Sequence, residues 1–259
     1  MESLWHVARQ PARLVRRSRP VVLALARDIH PSPVPWGGEG GPDRCPTVAP
    51  TAAPEAIAPA PWPTVSVVIP TLNEAHNLPR VLEALPAAKG VEVIVVDGGS
   101  TDSTLKIAAD WGARVVVSAP GRSRQMNQGA AVATGPMLLF LHADTRLPEG
   151  FDGAIREALT QPGVVAGAFR LAIDGPGRGL RWVERGVNVR SRLFHMPYGD
   201  QGIFLNAEVF HRLGGFPDLP MMEDFELVRR LRKLGKVAIA PQTVITSDRR
   251  WRTLGILRT

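Results

Sequence analysis

Residues 64–102 read TVSVVIPTLNEAHNLPRVLEALPAAKGVEVIVVDGGSTD, and they decide the fold. Two runs within them, at 65–69 and 91–96, are almost continuously apolar. Such runs are typical of strands that are buried on both faces of a parallel sheet. Between them, Leu78, Leu82 and Leu85 recur at helical spacing and predict a helix over residues 77–85. A strand, a helix and a second buried strand form the repeating unit of an α/β fold.

The same alternation continues along the chain. Pro70 is expected to end the first strand, and apolar runs at 114–117 and 137–141 predict two more strands. Helices are expected before each of these, one running to Asp110 and one over 122–133. Strands over 164–173 and 202–206 and a helix over 223–234 follow. We therefore expect a mostly parallel sheet with helices on both faces and a C-terminal subregion.

The N-terminal quarter differs in composition from the rest of the chain. Residues 1–63 hold 12 of the 24 prolines, and residues 31–63 alternate Pro with Ala, Gly and Ser, which predicts a disordered linker. Residues 1–30 carry six arginines against two acids. This basic segment is interpreted as an organelle transit peptide, a basic surface-binding helix or an extension from a misassigned start codon. We predict a basic N-terminal segment followed by a Pro-, Ala- and Gly-rich disordered linker over 1–63, and one folded domain over 64–259.

Composition and motifs exclude several classes of protein. The chain has 259 residues and a single cysteine, Cys45, so a disulfide framework or a multi-thiolate metal centre is not expected. No apolar run approaches the roughly 18–20 residues of a membrane-spanning helix. Neither a GxGxxG fingerprint nor a P-loop is present. The net charge of +7 suits polyanionic partners or reflects arginine-rich codon usage, and no nucleic-acid-binding motif accompanies it.

Polar side chains follow three of the predicted strands. Thr71, Asn73 and Glu74 follow the first strand, residues 97–102 follow the second, and residues 142–145 follow the fourth. In open α/β sheets, ligands bind at the carboxyl ends of the strands. Each group alone fits turn and cap chemistry equally well. Their convergence on one edge favours a binding site there.

Four segments in this order resemble a family 2 glycosyltransferase of the GT-A fold. They are VSVVIPTLNEAHNLPRVLEAL at 65–85, VEVIVVDGGSTDST at 91–104, LLFLHADT at 138–145 and MMEDFELVRRLRKLG at 221–235. The resemblance covers residues 64–258 and is greatest to the subgroup called radical-SAM/selenodomain-associated transferase 2. It implies a Rossmann-like GT-A sheet with an acceptor-side C-terminal subregion. It also implies transfer of a sugar from a nucleotide diphosphate sugar to an acceptor.

The resemblance also implies roles for individual residues. The residues that it places at the donor are Pro70, Thr71, Asn73, Glu74, Asp97, Asp102, Arg122, Arg124, Asn127, Arg249, Arg250 and Trp251. The acceptor-side residues are Gly199, Asp200 and Gln201. His142 and Asp144 stand at the first and last positions of the metal-binding Asp-X-Asp motif. Asp224 matches the catalytic base, and Glu223 is expected to orient the acceptor or the base.

The chemistry of sugar transfer suits these side chains. Charge builds on the leaving pyrophosphate, so a divalent cation and arginines beside it stabilise the transition state. Mg²⁺ or Mn²⁺ often takes one or two carboxylates plus substrate phosphates, so Asp144 alone could suffice. His142 departs from the motif because imidazole is a softer ligand than carboxylate. It either binds the metal or only packs and forms hydrogen bonds.

Inversion at the anomeric carbon needs a base for the proton of the acceptor hydroxyl. Asp224 begins a predicted helix, and a helix N-terminus favours an ionised carboxylate. Acids at a helix start are also ordinary N-terminal residues, so the position alone fits both interpretations. The order of the family motifs favours catalysis by Asp224.

Partners and alternatives follow from the same sequence. We expect a nucleotide sugar donor and a glycan, lipid-linked or small-molecule acceptor, no nucleic acid, and a cytoplasmic protein with a possible peripheral membrane contact. The basic run at 229–233 is a solvated face or attracts a membrane or a phosphorylated acceptor. Similar proteins continue past the Arg-Trp element as an apolar helix, so weaker membrane association or donor closure is expected of a chain ending at Thr259. The rivals are a catalytically degenerate nucleotide- or glycan-binding relative and a sugar-phosphate nucleotidyltransferase.

Overall fold

A computed structural model describes residues 64–85, 90–219 and 221–254. The predicted N-terminal region over 1–63 lies outside the described residues, so the domain boundary at 64 stays a prediction. Cys45 lies outside them as well. Within the described part, no helix combines the length and apolarity needed to cross a bilayer.

One mixed sheet of eight strands organises the described residues. The strands are β1 (Val65–Thr71), β2 (Val91–Asp97), β3 (Arg114–Val117), β4 (Met137–Phe140), β5 (Thr145–Arg146), β6 (Val164–Asp174), β7 (Ile203–Asn206) and β8 (Lys236–Ser247). Their spatial order is β3-β2-β1-β4-β7-β6-β8-β5. The β3-β2-β1-β4 half is parallel, as predicted. β7 lies antiparallel to β4 and β6, β6 and β8 are parallel, and β5 is antiparallel to β8.

Helices follow most of the strands. They are α1 (Leu78–Glu83), α2 (Thr104–Trp111), α3 (Arg122–Val132), α4 (Phe151–Thr160), α5 (Arg178–Phe194), α6 (Ala207–Arg212), α7 (Glu223–Leu231) and α8 (Arg249–Leu254). A 3₁₀ turn covers Gly199–Gln201. The expected helices at 77–85, 122–133 and 223–234 are present but shorter by one to three residues at an end.

Two apolar cores lie on the two faces of the sheet. Along β1, Val65, Val67 and Ile69 point into one core, and Val68 points into the other. The period of two that separates these side chains is that of a pleated strand. The first core includes residues of α1, α2, α4 and α5, and the second includes residues of α3, α6 and α7. Both faces are therefore covered, as the continuous apolar strands predict.

The prediction that Pro70 ends the first strand is wrong. β1 continues to Thr71, and Pro70 pairs in register with Val96 of β2. The pairing of β1 with β4 stops at Val68, so the missing N–H of Pro70 falls beyond the end of β4. A proline can therefore stay in this central strand without breaking a hydrogen bond of the sheet. The extra two residues carry Thr71 to the carboxyl edge, where the polar loops begin.

Candidate active site

A cleft of about 890 Å³ opens at the carboxyl edge of β1 and β4. Of the residues named from the sequence, it is lined by Pro70, Thr71, Glu74, Arg122, His142, Asp144, Asp200, Asp224, Arg249, Arg250 and Trp251. A neighbouring cleft of about 610 Å³ shares Asp144 and Arg249 with it and is lined by Asn73 as well. The structure thus brings candidate donor, metal, acceptor and catalytic residues to one place.

The loops after β1 and β2 are tied together through Asn73. Its N–H donates to Oγ of Ser100 at 2.8 Å, and its Oδ1 accepts the N–H of Thr101 at 2.9 Å. Asn73 has a φ of 55°, in the left-handed region that asparagine tolerates better than most residues. Its side-chain amide oxygen therefore bonds to the loop after β2, and its left-handed backbone conformation sets the direction in which the chain continues to Glu74.

Asp97 is fully buried, and both of its carboxylate oxygens serve the loop that follows β2. Oδ2 accepts the N–H groups of Gly99 and Ser100, each at 2.8 Å, and Oδ1 accepts the hydroxyl of Ser100. Asp102 similarly accepts the N–H of Thr104 at 2.9 Å and that of Ala75 at 3.1 Å. The hydrogen bonds to Thr104 hold the pKa of Asp102 below its usual value. Both acids shape the loops here, and their expected donor contacts stay predictions.

Arg249 of α8 bridges two carboxylates across the cleft. Its guanidinium contacts Glu74 twice, with Nη2–Oε1 at 2.7 Å and Nη1–Oε2 at 3.1 Å. The same Nη2 lies 3.3 Å from Oδ2 of Asp144. These contacts join the C-terminal helix to the loop after β1, although 175 residues separate Arg249 from Glu74 in sequence. One cationic group therefore already faces the carboxylate that the sequence assigns to a metal.

Asp144 and His142 follow β4 and both line the cleft. Burial raises the pKa of Asp144, while Arg249 lowers it and Glu74 raises it. Burial lowers the pKa of His142 to about 4, and Arg122 acts in the same direction. The imidazole is therefore neutral near pH 7 and has a nitrogen lone pair to offer. Nη1 of Arg122 lies 3.4 Å from its Nε2.

The donor set fits a divalent cation of the Mg²⁺ or Mn²⁺ type. In the part of the chain that the structure describes, no three or more His, Cys, Asp or Glu side chains are grouped to hold a metal. Asp144 nevertheless places a carboxylate in the cleft with open space beside it. These cations often take one or two carboxylates and complete their coordination with substrate phosphates and water. A site with few protein ligands is therefore consistent with the residues present.

Asp224 lies at the start of α7 and is held by two backbone N–H groups. Its Oδ2 accepts the N–H of Gly199 at 2.6 Å, and its Oδ1 accepts the N–H of Phe225 at 2.8 Å. Gly199 leaves no room for a side chain, because an added Cβ would lie 2.8 Å from Nε2 of His142 and 3.1 Å from Oδ2 of Asp224. The 3₁₀ turn therefore packs tightly between the candidate base and the candidate metal-site histidine.

Glu223 points away from this turn, into the protein. Its side chain is only 2% exposed, and its Oε1 lies 2.8 Å from Nε of Arg122 in an ion pair that lacks hydrogen-bond geometry. Met222, just before it, has a φ of 64°, a strained conformation for a residue with a side chain. Glu223 and Asp224 are consecutive residues of α7, so their side chains leave the helix about 100° apart. Glu223 fixes the start of α3 against the start of α7.

Asp200 and Tyr198 both line the cleft, and the sequence assigns Asp200 to the acceptor side. Burial, reinforced by Asp224, raises the pKa of Asp200 to about 6, against the opposing effect of Arg190. The guanidinium of Arg190 lies 3.6 Å from the centroid of the Tyr198 ring, a cation–π contact. Oδ1 of Asp200 and Nε and Nη2 of Arg190 are buried without a hydrogen-bond partner. The side chain of Gln201 forms hydrogen bonds within the protein: its Oε1 accepts from Ser191 Oγ and from the N–H of Tyr198, and its Nε2 donates to the carbonyl of Phe169.

Arg124 and Asn127, which the sequence assigns to the donor site, are not among the residues that line the cleft. Arg124 bonds to Asp218 at 2.9 Å, and Asn127 exchanges two hydrogen bonds with the backbone of Phe216. Both residues anchor the segment before α7 to α3, and a direct donor contact stays a prediction for each.

Gln125 and Tyr198 also line the cleft and were not among the residues singled out from the sequence. Gln125 is buried, and its Nε2 donates to the carbonyls of Thr71 at 2.7 Å and Val96 at 2.8 Å, at the ends of β1 and β2. Tyr198 is the other, reached through the turn at 199–201. A single glutamine or tyrosine carries no spacing signal, so only the packed structure assigns these residues to the site.

The chain belongs to the family 2 glycosyltransferases. The family model described as "Glycosyl transferase family 2" matches residues 66–216, more than half of the chain. A protein described as an uncharacterized glycosyltransferase of Mycobacterium tuberculosis is 44% identical over 87 residues, 33% of this chain and 39% of the relative. The chain thus spans about two fifths of the length of the curated relatives that it matches.

Solved structures confirm the GT-A fold. A mannosyltransferase of Pyrobaculum calidifontis, in complex with GDP-Man and Mn²⁺, matches with a TM-score of 0.57 and 23% identity over 72% of this chain and 57% of that one. Glucosyl-3-phosphoglycerate synthase of Mycobacterium tuberculosis, in complex with Mn²⁺, UDP-glucose and phosphoglyceric acid, matches with a TM-score of 0.54 and 24% identity over 70% of each chain. At this level of identity the likeness establishes the fold alone.

Proposed function

We propose that the protein transfers a sugar from a nucleotide diphosphate sugar to an acceptor hydroxyl, with inversion at the anomeric carbon and with a divalent cation. One observation carries the proposal: the candidate metal ligand Asp144 and the candidate base Asp224 line the same cleft, at the carboxyl edge of a GT-A sheet. The cleft volume of about 890 Å³ lies within the range of about 300–1,000 Å³ typical of ligand sites.

The donor half of the cleft is basic and suits a pyrophosphate. Arg122, Arg249 and Arg250 line it together with Asp144. Guanidinium groups are well matched to phosphate oxygens because they donate in pairs. Asp144, with or without His142, would hold a Mg²⁺ or Mn²⁺ ion, which would supply positive charge beside the leaving pyrophosphate. Solved relatives hold GDP-Man or UDP-glucose with Mn²⁺, which supports this class of donor and cation.

Asp224 acts as the general base in this proposal. Two backbone N–H groups fix its carboxylate, and the residue lines the cleft. The carboxylate takes the proton from the acceptor hydroxyl as that oxygen attacks the anomeric carbon. Attack from the face opposite the leaving group gives inversion. Asp200 and Tyr198 lie on the same wall and are proposed to contact the acceptor, a glycan, a lipid-linked molecule or a small molecule.

Two finer assignments belong to the same proposal. The order of the motifs favours membership of the radical-SAM/selenodomain-associated transferase 2 subgroup. The folded catalytic domain is proposed to begin near residue 64, where β1 starts.

The test uses the full chain and a panel of UDP-, GDP-, CDP- and dTDP-sugars with Mn²⁺, Mg²⁺ or EDTA. We expect one nucleotide to raise the thermal midpoint only with metal, and slow release of nucleoside diphosphate with water as acceptor. Asp144→Asn should abolish the metal-dependent stabilisation, and Asp224→Asn should keep it and lose the release. Asp110→Asn, at an exposed position on α2, is the matched control and should behave as the unchanged protein.

A catalytically degenerate relative is the second candidate. It is favoured by His142 in place of an acid and by the contact of Arg249 with Asp144. Nucleotide binding without release of nucleoside diphosphate, in the unchanged protein and the Asp224 variant alike, would identify it. If nucleotide raised the thermal midpoint equally with and without metal, and equally in Asp144→Asn, the assignment of Asp144 to the metal would be contradicted.

A further inference from the structure

The outer face of α5 carries large apolar side chains that are exposed to solvent. Trp182 is 71% exposed, Val189 54% and Leu193 68%. These residues stand at positions i, i+7 and i+11, so at about 100° per residue they form one line along the helix. Gly186 lies on the same line and is also exposed. Large apolar side chains that share one line on an exposed helix form a surface patch of the kind found at interaction sites.

The fold does not need this face. The opposite side of α5 makes the packing contacts, with Leu180 buried in the core and Val183 and Val187 packed against it. Ser191 is buried on that side and donates to Gln201 at 2.8 Å. The rotation of the helix is therefore fixed by its inner face, and the line through Trp182 is presented outward by a rigid element.

Arginines border the apolar line on one flank. Arg178, Arg185 and Arg192 recur every seven residues and are exposed. The guanidinium of Arg185 lies 5.5 Å from the centroid of the Trp182 ring. Glu184, the one acid of the helix, points inward, where it accepts the N–H of Ile173 and pairs with Arg181 at 2.9 Å. The exposed face therefore carries positive charge without a balancing carboxylate.

We propose that this face, Trp182, Val189 and Leu193 with Arg178, Arg185 and Arg192, binds the surface of an anionic phospholipid bilayer. A helix with a tryptophan-bearing apolar stripe and basic residues beside it has the features of helices that lie in the plane of a membrane interface. The aliphatic parts of the arginines extend the apolar line on α5. Their guanidinium groups reach the lipid phosphates.

Charge decides between a bilayer and a second copy of the chain. Two copies joined through this face would bring their arginine rows together with no acid between them, and the whole chain carries a net charge of +7. An anionic surface instead attracts every one of these groups. The charge pattern thus favours lipid over self-association.

The position of α5 gives the contact a consequence. The C-terminal end of the helix contacts residues of the proposed acceptor side, where Arg190 stacks on Tyr198 and Ser191 bonds to Gln201. A bilayer on the outer face would therefore lie near the acceptor side of the cleft. This consequence rests on the proposed function, whereas lipid binding itself does not.

The experiment measures cosedimentation of the full chain with vesicles of phosphatidylcholine alone and of phosphatidylcholine mixed with phosphatidylglycerol. We expect binding only to the anionic vesicles, weakened by salt. Arg185→Gln with Arg192→Gln should weaken partitioning by about 25-fold, at about five-fold for each arginine. Trp182→Ser with Leu193→Ser should abolish binding. The thermal midpoint should not change in either variant, because all four side chains are exposed.

Arg212→Gln with Lys233→Gln is the matched control. It removes the same charge from exposed positions near α6 and α7, which pack on the opposite face of the sheet. Its vesicle binding should equal that of the unchanged protein. An equal loss of vesicle binding in this control and in Arg185→Gln with Arg192→Gln would overturn the proposal. Vesicle binding that survives both α5 variants, through the basic segment at 1–30, would overturn it as well. A dimer in sedimentation velocity that dissociates on Trp182→Ser would overturn it in favour of a second copy.

Discussion

Nη2 of Arg249 lies 3.3 Å from Oδ2 of Asp144, the carboxylate proposed to bind a divalent cation. The guanidinium and a metal ion would therefore compete for the same oxygen. The same arginine is also proposed to bind the donor pyrophosphate, so it must change partners when the donor and the metal bind. Removing Arg249 is therefore expected to affect the affinity for the metal and the affinity for the nucleotide in opposite directions.

Arg249→Gln should bind Mn²⁺ more tightly in the absence of nucleotide, by about five-fold, because a competing cation is removed from Asp144. With metal saturating, the variant should bind nucleoside diphosphate about ten-fold more weakly, because a charged donor to phosphate is lost. Isothermal titration calorimetry measures both affinities. Arg252→Gln is the control, since Arg252 on the same helix pairs with Asp248 instead. Unchanged Mn²⁺ affinity in Arg249→Gln would show that the bridge does not obstruct the metal site.

Arg122→Ala should destabilise the protein by about 3 kcal/mol, because it leaves the buried carboxylate of Glu223 without its cation. Arg124→Ala, two residues along α3, should cost less than about 1 kcal/mol, because Arg124 and Asp218 are 57% and 68% exposed. Urea unfolding gives both free energies. Adding Glu223→Gln to Arg122→Ala should recover part of the loss. Equal costs for the two arginine variants would contradict this account of the ion pair.

Gly199→Ala should block the release of nucleoside diphosphate and leave nucleotide binding in place. The new Cβ would lie 2.8 Å from Nε2 of His142 and 3.1 Å from Oδ2 of Asp224, so the turn or the base must move. Gly153→Ala is the control: this exposed position in α4 has no atom within 4 Å of the new Cβ, and alanine should stabilise the helix by about 0.5–1 kcal/mol. Release at the original rate from Gly199→Ala would remove the turn from the mechanism.

Asp200 should make the stability of the folded protein depend on pH. Burial and Asp224 raise the pKa of Asp200 from 3.8 to about 6, so the folded state binds the proton more tightly than the unfolded state does. The stabilisation is therefore complete below about pH 4 and is lost as the pH rises through about 6. This change in the pKa of Asp200 corresponds to about 2–3 kcal/mol in the free energy of unfolding.

Asp200→Asn should remove this loss. Between pH 4 and 7, measured in EDTA, the unchanged protein should fall in free energy of unfolding relative to the variant. Asp218→Asn, an exposed acid outside the cleft, should follow the unchanged protein over the same range. Parallel curves for Asp200→Asn and the unchanged protein would show that Asp200 does not titrate in this window.

Much of the parallel half of the fold follows from local sequence. The apolar runs that become β1 to β4 and the leucines of α1 each carry their own periodicity, so their structure is readable before any packing is known. β8 shows why other elements were not predicted. Its 12 residues include Pro241 and mix polar with apolar positions, because it pairs with the long, bulged β6 and with the short β5. Its strand character comes from these partners.

The candidate site divides in the same way. Asp144 and Asp224, which the sequence singles out, line one cleft, since Asp144 lies in the loop after β4 and Asp224 in the first turn of α7; their roles stay predictions. Gln125 escaped notice because its role depends on carbonyls that β1 and β2 bring beside it. Hydrogen bonds between distant segments leave no periodic trace in a sequence.

The sequence by itself determined the order of β1 to β4 and the helices between them, the edge at which polar side chains collect and the family to which the chain belongs. These depend on apolar periodicity and on short motifs, which act locally. Only the tertiary structure decided that Asp97 and Asn73 spend their side chains on loops, that Arg249 reaches Asp144, and that Trp182 faces outward on α5. Those outcomes depend on which groups meet after the sheet assembles, since a polar group's partner is set by packing across many residues.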